Sequence, residues 1–149
     1  MTQMTNDALR VFVYDRVISR GDIPSSGEIA SHFGVTAEDV RHRIATLKIG
    51  KTILPHPETG EIWMAGPFAS QPSGYPLTDG ETTWQANCAW DAFGVAALAG
   101  RPLVAESTCL DCGETLRTEC NPERAPASSA GVVHFLVQGR HWYDDIGFT

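Results

Sequence analysis

A stretch rich in proline, glycine and serine near the middle of the chain is the strongest constraint on its fold. Residues 66–80, GPFASQPSGYPLTDG, favour turns over a regular element. The 149-residue chain is long enough to bury a core in one domain or in two small ones. We therefore expect one domain at residues 1–65, a packed linker at residues 66–80 and a second domain at residues 81–149.

The two predicted domains differ in charge. Residues 1–65 contain seven Lys or Arg and eight Asp or Glu, whereas residues 66–149 contain four and ten, so their net charges are −1 and −6. The total of −7, with a pI near 5.1, argues against a protein that coats nucleic acid or an anionic membrane. No segment has the roughly 20 apolar residues of a membrane span. The N-terminal residues do not have the pattern of a secretion signal, so we expect a cytoplasmic protein that does not bind membranes.

The first segment predicts three helices followed by a hairpin. Each predicted helix begins or ends at residues that suit a helix terminus. These are Asn6 and Gly21 for the first helix, Ser25 or Ser26 and Gly34 for the second, and Thr36 with Asp39 as a capping box for the third. Two short apolar strands follow at residues 52–54 and 61–65, around a turn with proline and glycine. This order predicts a winged helix-turn-helix domain.

A winged helix raises the hypothesis of DNA binding. The third predicted helix carries Arg41, His42, Arg43 and Lys48, which suit contacts to phosphates and base edges. Against this, Glu38 and Asp39 lie at the helix end that would enter the groove. We therefore favour a structural module and do not expect nucleic acid as a partner.

The second segment predicts a small mixed α/β domain, which makes the whole chain α+β. A helix is expected at residues 83–98, followed by a hairpin with strands at residues 103–106 and 115–120. The hairpin turn contains the sequence Cys-x-x-Cys-Gly. A long loop then leads to the apolar run VVHFLV at residues 132–137, which has the composition of a strand.

Two chemically active residues lie in the predicted helix. Cys88 and Asp91 are three residues apart, a spacing that puts both on one helix face. The positive end of the helix dipole would stabilise a Cys88 thiolate. An Asp91 carboxyl in an apolar pocket would hold its proton and could act as a general acid. The alternative is that Cys88 is a small buried hydrophobic residue.

The other three cysteines suggest a metal site. Cys109 and Cys112 form half of a zinc knuckle, to which Cys120 could add a third ligand and His134 or Cys88 a fourth. The alternatives are reduced thiols in a hairpin and a histidine whose hydrogen bonds are satisfied within the core.

The chain resembles the organomercurial (alkylmercury) lyases over its whole length. The matching stretches are MAGPFAS, GYPLT, NCAWDAFGVAALAGR, STC and VVHF, of which the helix motif is the most specific. The resemblance implies a winged-helix-like domain followed by a catalytic domain of the alkylmercury lyase type. It also implies that Cys88 binds mercury as a thiolate, that Asp91 relays a proton to the released carbon, and that Cys109 is structural.

This resemblance further implies the reaction and its partners. A small organomercurial would be split into a hydrocarbon and mercury(II), which stays on Cys88 and Asp91 until a cytosolic thiol removes it. No cofactor is required. Thiolate ligands suit this soft metal.

One departure from the family pattern affects the predicted chemistry. The family has a second catalytic cysteine shortly before the VHF motif, where this chain reads SSAGVVHF and an ungapped comparison gives Ala130. Cys112 or Cys120 could supply the second thiolate, or Cys88 could work with an external thiol. Two non-catalytic alternatives are a thiol protein that binds zinc or mercury and a winged-helix regulator that senses a metal.

Overall fold

The computed structural model describes residues 3–124 and 131–147. Within these residues the fold is mixed α/β, with four α-helices and two antiparallel sheets, which agrees with the predicted class at that level. No helix in the described part of the chain is long and apolar enough to cross a membrane.

Three helices begin the chain, and their ends follow from the sequence. They are α1 (Asn6–Arg20), α2 (Ser26–Phe33) and α3 (Ala37–Leu47), followed by a 3-10 turn at Lys48–Gly50. The predicted capping box of Thr36 and Asp39 is confirmed, and α2 has a second one between Ser25 and Glu28. The N-cap of α1 is Thr5 and not Asn6, because the Thr5 side chain accepts the backbone N–H of Ala8 at 3.1 Å.

A small sheet follows the helices. Its strands are β1 (Ile53–Pro55), β2 (Ile62–Ala65) and β3 (Phe68–Ala69), in the order β1-β2-β3. The β1–β2 hairpin corresponds to the two strands expected from the sequence, shifted by about one residue at some of their ends.

A larger sheet forms the second half of the fold. Its strands are β4 (Pro76–Thr78), β5 (Thr83–Gln85), β6 (Leu103–Thr108) and β7 (Thr115–Cys120), in the order β5-β4-β6-β7. The last helix, α4 (Ala89–Ala99), lies between β5 and β6 in sequence and contacts β6 and β7.

Three expectations about secondary structure are wrong. Residues 66–80 contain β3 and β4, where no regular element was expected; Pro76 is tolerated because it is the first residue of its strand. Residues 83–85 form β5 instead of the first turn of α4, since Thr83 and Trp84 suit a strand. Residues 132–137 form no strand, and Val132 and Leu136 are exposed.

Helix α1 connects the two halves of the molecule. Leu9 and Val13 pack in a core with α2, α3 and the small sheet, whereas Val17 packs in a second core with α4 and the larger sheet. The indole Nε1 of buried Trp84 donates to the backbone oxygen of Val17 at 2.8 Å. Helix α1 therefore packs in both cores and holds the larger sheet next to the first core.

The end of α1 and strand β5 approach each other closely at Gly21. A Cβ on Gly21 would lie 2.1 Å from the backbone oxygen of Thr83, and the residue has a φ of +89°. Both the close approach and the left-handed conformation require glycine.

Candidate active site

Cys88 is the N-cap of α4 and not a residue within its first turns. Its backbone is extended, with φ −153° and ψ 177°, and its Sγ accepts the backbone N–H of Asp91 at 3.4 Å. This is the position in which a serine or threonine hydroxyl caps a helix. The predicted pairing of Cys88 with Asp91 is present, but as a cap and its N3 residue.

Opposing effects act on the pKa of the Cys88 thiol. Burial raises its pKa most strongly, and the nearby Asp91 carboxylate raises it further. The backbone N–H groups of Asp91 and Trp90 act in the other direction because they favour a thiolate. The net shift is upward, so the helix terminus supplies the expected donors but does not by itself make Cys88 an acidic thiol.

Asp91 is a half-buried carboxyl beside this thiol. Burial raises its pKa, while hydrogen bonds from the side chains of Asn87 and Cys88 act in the opposite direction. The direction of the shift is the one expected for a carboxyl that holds its proton. The Cys88 thiol and the Asp91 carboxyl are thus close enough for each to shift the pKa of the other, and a proton can pass between them.

Asn87 fixes the start of α4, a role that sequence reasoning missed. Its backbone N–H donates to the carbonyl of Pro67 at 3.1 Å, and its Nδ2 donates to the carbonyl of Gly66 at 2.8 Å. Its Oδ1 is buried and has no hydrogen-bond partner among the described residues. MAGPF and NCAWDAF are both stretches in which the chain resembles the alkylmercury lyases. Nothing in either stretch indicates that the two are in contact with each other.

The Gly66 and Pro67 segment is itself held from two sides. A Cβ on Gly66 would lie 2.4 Å from the hydroxyl of Tyr14 on α1, and a Cβ on Gly94 of α4 would lie 3.2 Å from Pro67. The segment is therefore packed between α1 and α4. The two carbonyls that Asn87 bonds therefore belong to a packed segment.

Aromatic residues extend from α4 to the C-terminal part of the chain. The Trp90 ring lies 6.4 Å from both Phe93 and Phe135, and the Phe135 ring lies 5.1 Å from Trp142. Trp90 is 59% exposed although it follows Cys88 by only two residues. These side chains form an apolar surface next to the start of α4.

The three cysteines of the hairpin do not converge. Cys109 and Cys112 lie in the β6–β7 turn, whereas Cys120 pairs with Leu103 at the far end of the hairpin. Thr115 and Cys120 are five positions apart, which corresponds to about 17 Å of strand. Cys120 is fully buried, and burial raises its pKa to about 11.

The predicted zinc site is therefore not supported. Across residues 3–124 and 131–147, no group of three or more His, Cys, Asp or Glu side chains could hold a metal ion. His134 is exposed, so the expectation of a core histidine is wrong. The position of the second family cysteine, Ala130, lies outside the described residues.

The turn that holds Cys109 and Cys112 lowers the pKa of the first thiol and exposes the second. Backbone N–H groups of Cys112 and Asp111, and the side chain of Cys112, hydrogen-bond to the Cys109 sulfur and lower its pKa. Cys112 is exposed. Cys109 is partly exposed, so both thiols are more accessible than that of buried Cys120.

The cations of α3 are engaged by neighbouring groups. The Arg41 guanidinium forms ion pairs with Glu38 at 3.0 Å and with Glu61 at 3.4 Å, and the Arg43 Nη1 donates to Asn6 Oδ1 at 3.4 Å. Paired cations are less suited to binding phosphates.

Comparisons with known proteins point to one family. A family model described as alkylmercury lyase matches residues 68–148, just over half of the chain. A solved structure, the mercury-bound form of MerB2, is similar with a TM-score of 0.58 and 16% identity, over 84% of this chain and 65% of that chain. This likeness concerns the fold, and the chain spans about 65% of the length of that structure. A search of curated proteins gives no match.

Proposed function

The chain belongs to the alkylmercury lyase family, and from that premise we propose that it cleaves carbon–mercury bonds by protonolysis. Cys88 would bind the mercury of a small organomercurial, and Asp91 would deliver the proton to carbon. The observation that carries the proposal is the cap at the start of α4, where the Cys88 sulfur accepts the backbone N–H of Asp91 and the thiol and the carboxyl each shift the other's pKa.

The first step is capture of the substrate. The Cys88 sulfur displaces the inorganic ligand of an organomercurial R–Hg–X and forms a sulfur–mercury bond. The thiol proton passes to the neighbouring Asp91 carboxylate, whose charge already raises the pKa of that thiol. Burial of both groups favours this step, because the neutral carboxyl is the less costly form in an apolar environment.

The second step breaks the carbon–mercury bond. A further thiolate on mercury adds electron density to that bond, and the proton on Asp91 moves to carbon. The products are the hydrocarbon R–H and mercury(II) held by Cys88 and the second thiolate. A small cytosolic thiol supplies that thiolate in this proposal, because the family's second cysteine is replaced by Ala130 and Cys120 lies in the core.

The N-terminal half has a supporting role in this proposal. We infer a winged-helix-like domain over residues 1–65, since three helices and a hairpin occur in that order. Residues 66–80 join the two domains and contribute β3 to the small sheet and β4 to the larger one, and residues 81–149 act as the catalytic domain. Nucleic acid is not proposed as a partner, because Arg41 and Arg43 are already engaged.

The function is tested by hydrocarbon release from phenylmercury in the presence of excess small thiol. We expect benzene from the unaltered protein and none above background from Cys88→Ser. A Cys120→Ala variant serves as a control that also removes one thiol, and it should retain turnover if it folds. Tight mercury binding without benzene release would instead favour a non-catalytic metal-binding protein.

A further inference from the structure

We propose that Cys109 and Cys112 form a second soft-metal site, in which two thiolates bind one thiophilic ion such as mercury(II). The site is separate from Cys88 and does not depend on the proposed lyase activity. It occupies the turn between β6 and β7.

Backbone hydrogen bonds close the turn that contains the two cysteines. The backbone N–H of Cys109 donates to the oxygen of Glu114 at 2.8 Å, and that of Gly113 donates to the oxygen of Cys109 at 2.9 Å. Gly113 has a φ of +76°, which allows the tight return of the chain. Cys109 and Cys112 therefore lie three positions apart within one hydrogen-bonded turn.

The turn is open to solvent, so a metal can reach the two sulfurs. Cys112 is exposed, and Leu110 between the two cysteines is 93% exposed. The acidic residues Asp111 and Glu114 in the same turn add a negative field that attracts cations.

The number of ligands determines which metal fits. A structural zinc ion takes four ligands, but the described residues contain no group of three His, Cys, Asp or Glu side chains that could hold a metal. Soft ions with a filled d shell, such as mercury(II), accept two thiolates in a linear arrangement. Two neighbouring cysteines therefore suit mercury(II) better than zinc.

The strand register places this turn at the same end of the sheet as Cys88. Gln85 of β5 pairs with Pro76, and Leu77 next to it pairs with Ala105 of β6. Both β5 and β6 run toward that end, and the chain leaves β5 for Cys88 and β6 for Cys109. One strand, β4, lies between β5 and β6, so the axes of β5 and β6 are about 10 Å apart.

The test measures retention of mercury(II) by reduced, oxygen-free protein in a buffer of small monothiol. A Cys88→Ser background removes the proposed catalytic ligand, so a failure here is distinct from a failure of the proposed lyase function. We expect this variant to retain one mercury per chain, with two sulfur ligands by X-ray absorption. Adding Cys109→Ser and Cys112→Ser should weaken binding roughly 100-fold, because the two-thiolate chelate is lost.

Controls distinguish a specific site from general thiol binding. Adding Cys120→Ala to the Cys88→Ser background should leave mercury retention unchanged, and zinc should remain with the buffer. If that variant does not fold, X-ray absorption of the Cys88→Ser protein alone still counts its sulfur ligands. Equal retention after removal of Cys109 and Cys112, or no retention by the Cys88→Ser protein, would overturn the proposal.

Discussion

The backbone N–H of Asp91 donates to the sulfur of Cys88 at 3.4 Å, so the two residues are the N3 and N-cap positions of α4. The same chain contains the ordinary form of this pair in α3, where Asp39 N–H donates to Thr36 Oγ1 at 3.1 Å. In α4 a thiol takes the place of the hydroxyl. The helix start therefore fixes the relative position of a soft-metal ligand and a carboxyl.

Replacing Cys88 with serine should remove mercury capture without weakening the fold. Serine is a good N-cap, and its hydroxyl can accept the Asp91 N–H that the sulfur now accepts. We expect a free energy of unfolding that is unchanged or higher by up to about 1 kcal/mol. Urea unfolding checks this, and a large loss of stability would show that the sulfur itself is needed for the cap.

Replacing Asp91 with asparagine should reduce hydrocarbon release by at least about 100-fold, because the proton donor to carbon is lost. Turnover of phenylmercury measures this directly. An Asp91→Asn protein that releases benzene at the normal rate would remove Asp91 from the mechanism.

The same Asp91→Asn change should stabilise the protein near neutral pH. Burial raises the pKa of Asp91 in the folded state, so the native protein binds more protons than the unfolded chain above the ordinary aspartate range. The wild-type protein therefore loses stability as the pH rises from the ordinary aspartate pKa to the raised pKa of the folded state. The advantage of the variant should vanish at acid pH, where the carboxyl is protonated in both states, and thermal unfolding across pH would show this.

Replacing Asn87 with alanine should loosen the start of α4. The hydrogen bond from Nδ2 to the Gly66 carbonyl at 2.8 Å would be lost, at a cost of about 0.5–1.5 kcal/mol. Turnover should fall as well, because Cys88 is the next residue. Asn121→Ala is the matched control, since its amide bonds only exposed groups near its own position, and it should leave both quantities unchanged.

Replacing Gly21 with alanine should destabilise the contact between α1 and β5. Gly21 and Gly74 both have a positive φ, but a Cβ on Gly21 would meet the Thr83 oxygen whereas one on Gly74 would meet nothing within 4 Å. Gly74→Ala should therefore cost only the conformational penalty of about 1–2 kcal/mol. Chemical denaturation should show a larger loss for Gly21→Ala, and equal losses would mean that the close approach is unimportant.

Local signals predicted much of the helical fold. The capping residues around α2 and α3 act within four residues of each other, so the sequence pattern contains them. The spacing of Cys88 and Asp91 before an apolar run has the same form as Thr36 and Asp39, and it could have identified Cys88 as a cap.

Contacts between distant parts of the chain could not be predicted in this way. Asn87 and Gly66 are 21 residues apart, and their hydrogen bond depends on how α1 and α4 pack around Pro67. The run at residues 132–137 has the composition of a strand, yet composition does not say whether a neighbouring strand edge is available. The register of β6 and β7 similarly separates Cys120 from the other two cysteines.

The most direct measurement of the proposed reaction is benzene release from phenylmercury by stoichiometric protein in D2O with excess small thiol. Protonolysis through Cys88 predicts benzene carrying one deuterium, and no benzene from Cys88→Ser. Equal benzene release from Cys88→Ser, or phenylmercury that stays bound and uncleaved on the unaltered protein, would contradict it.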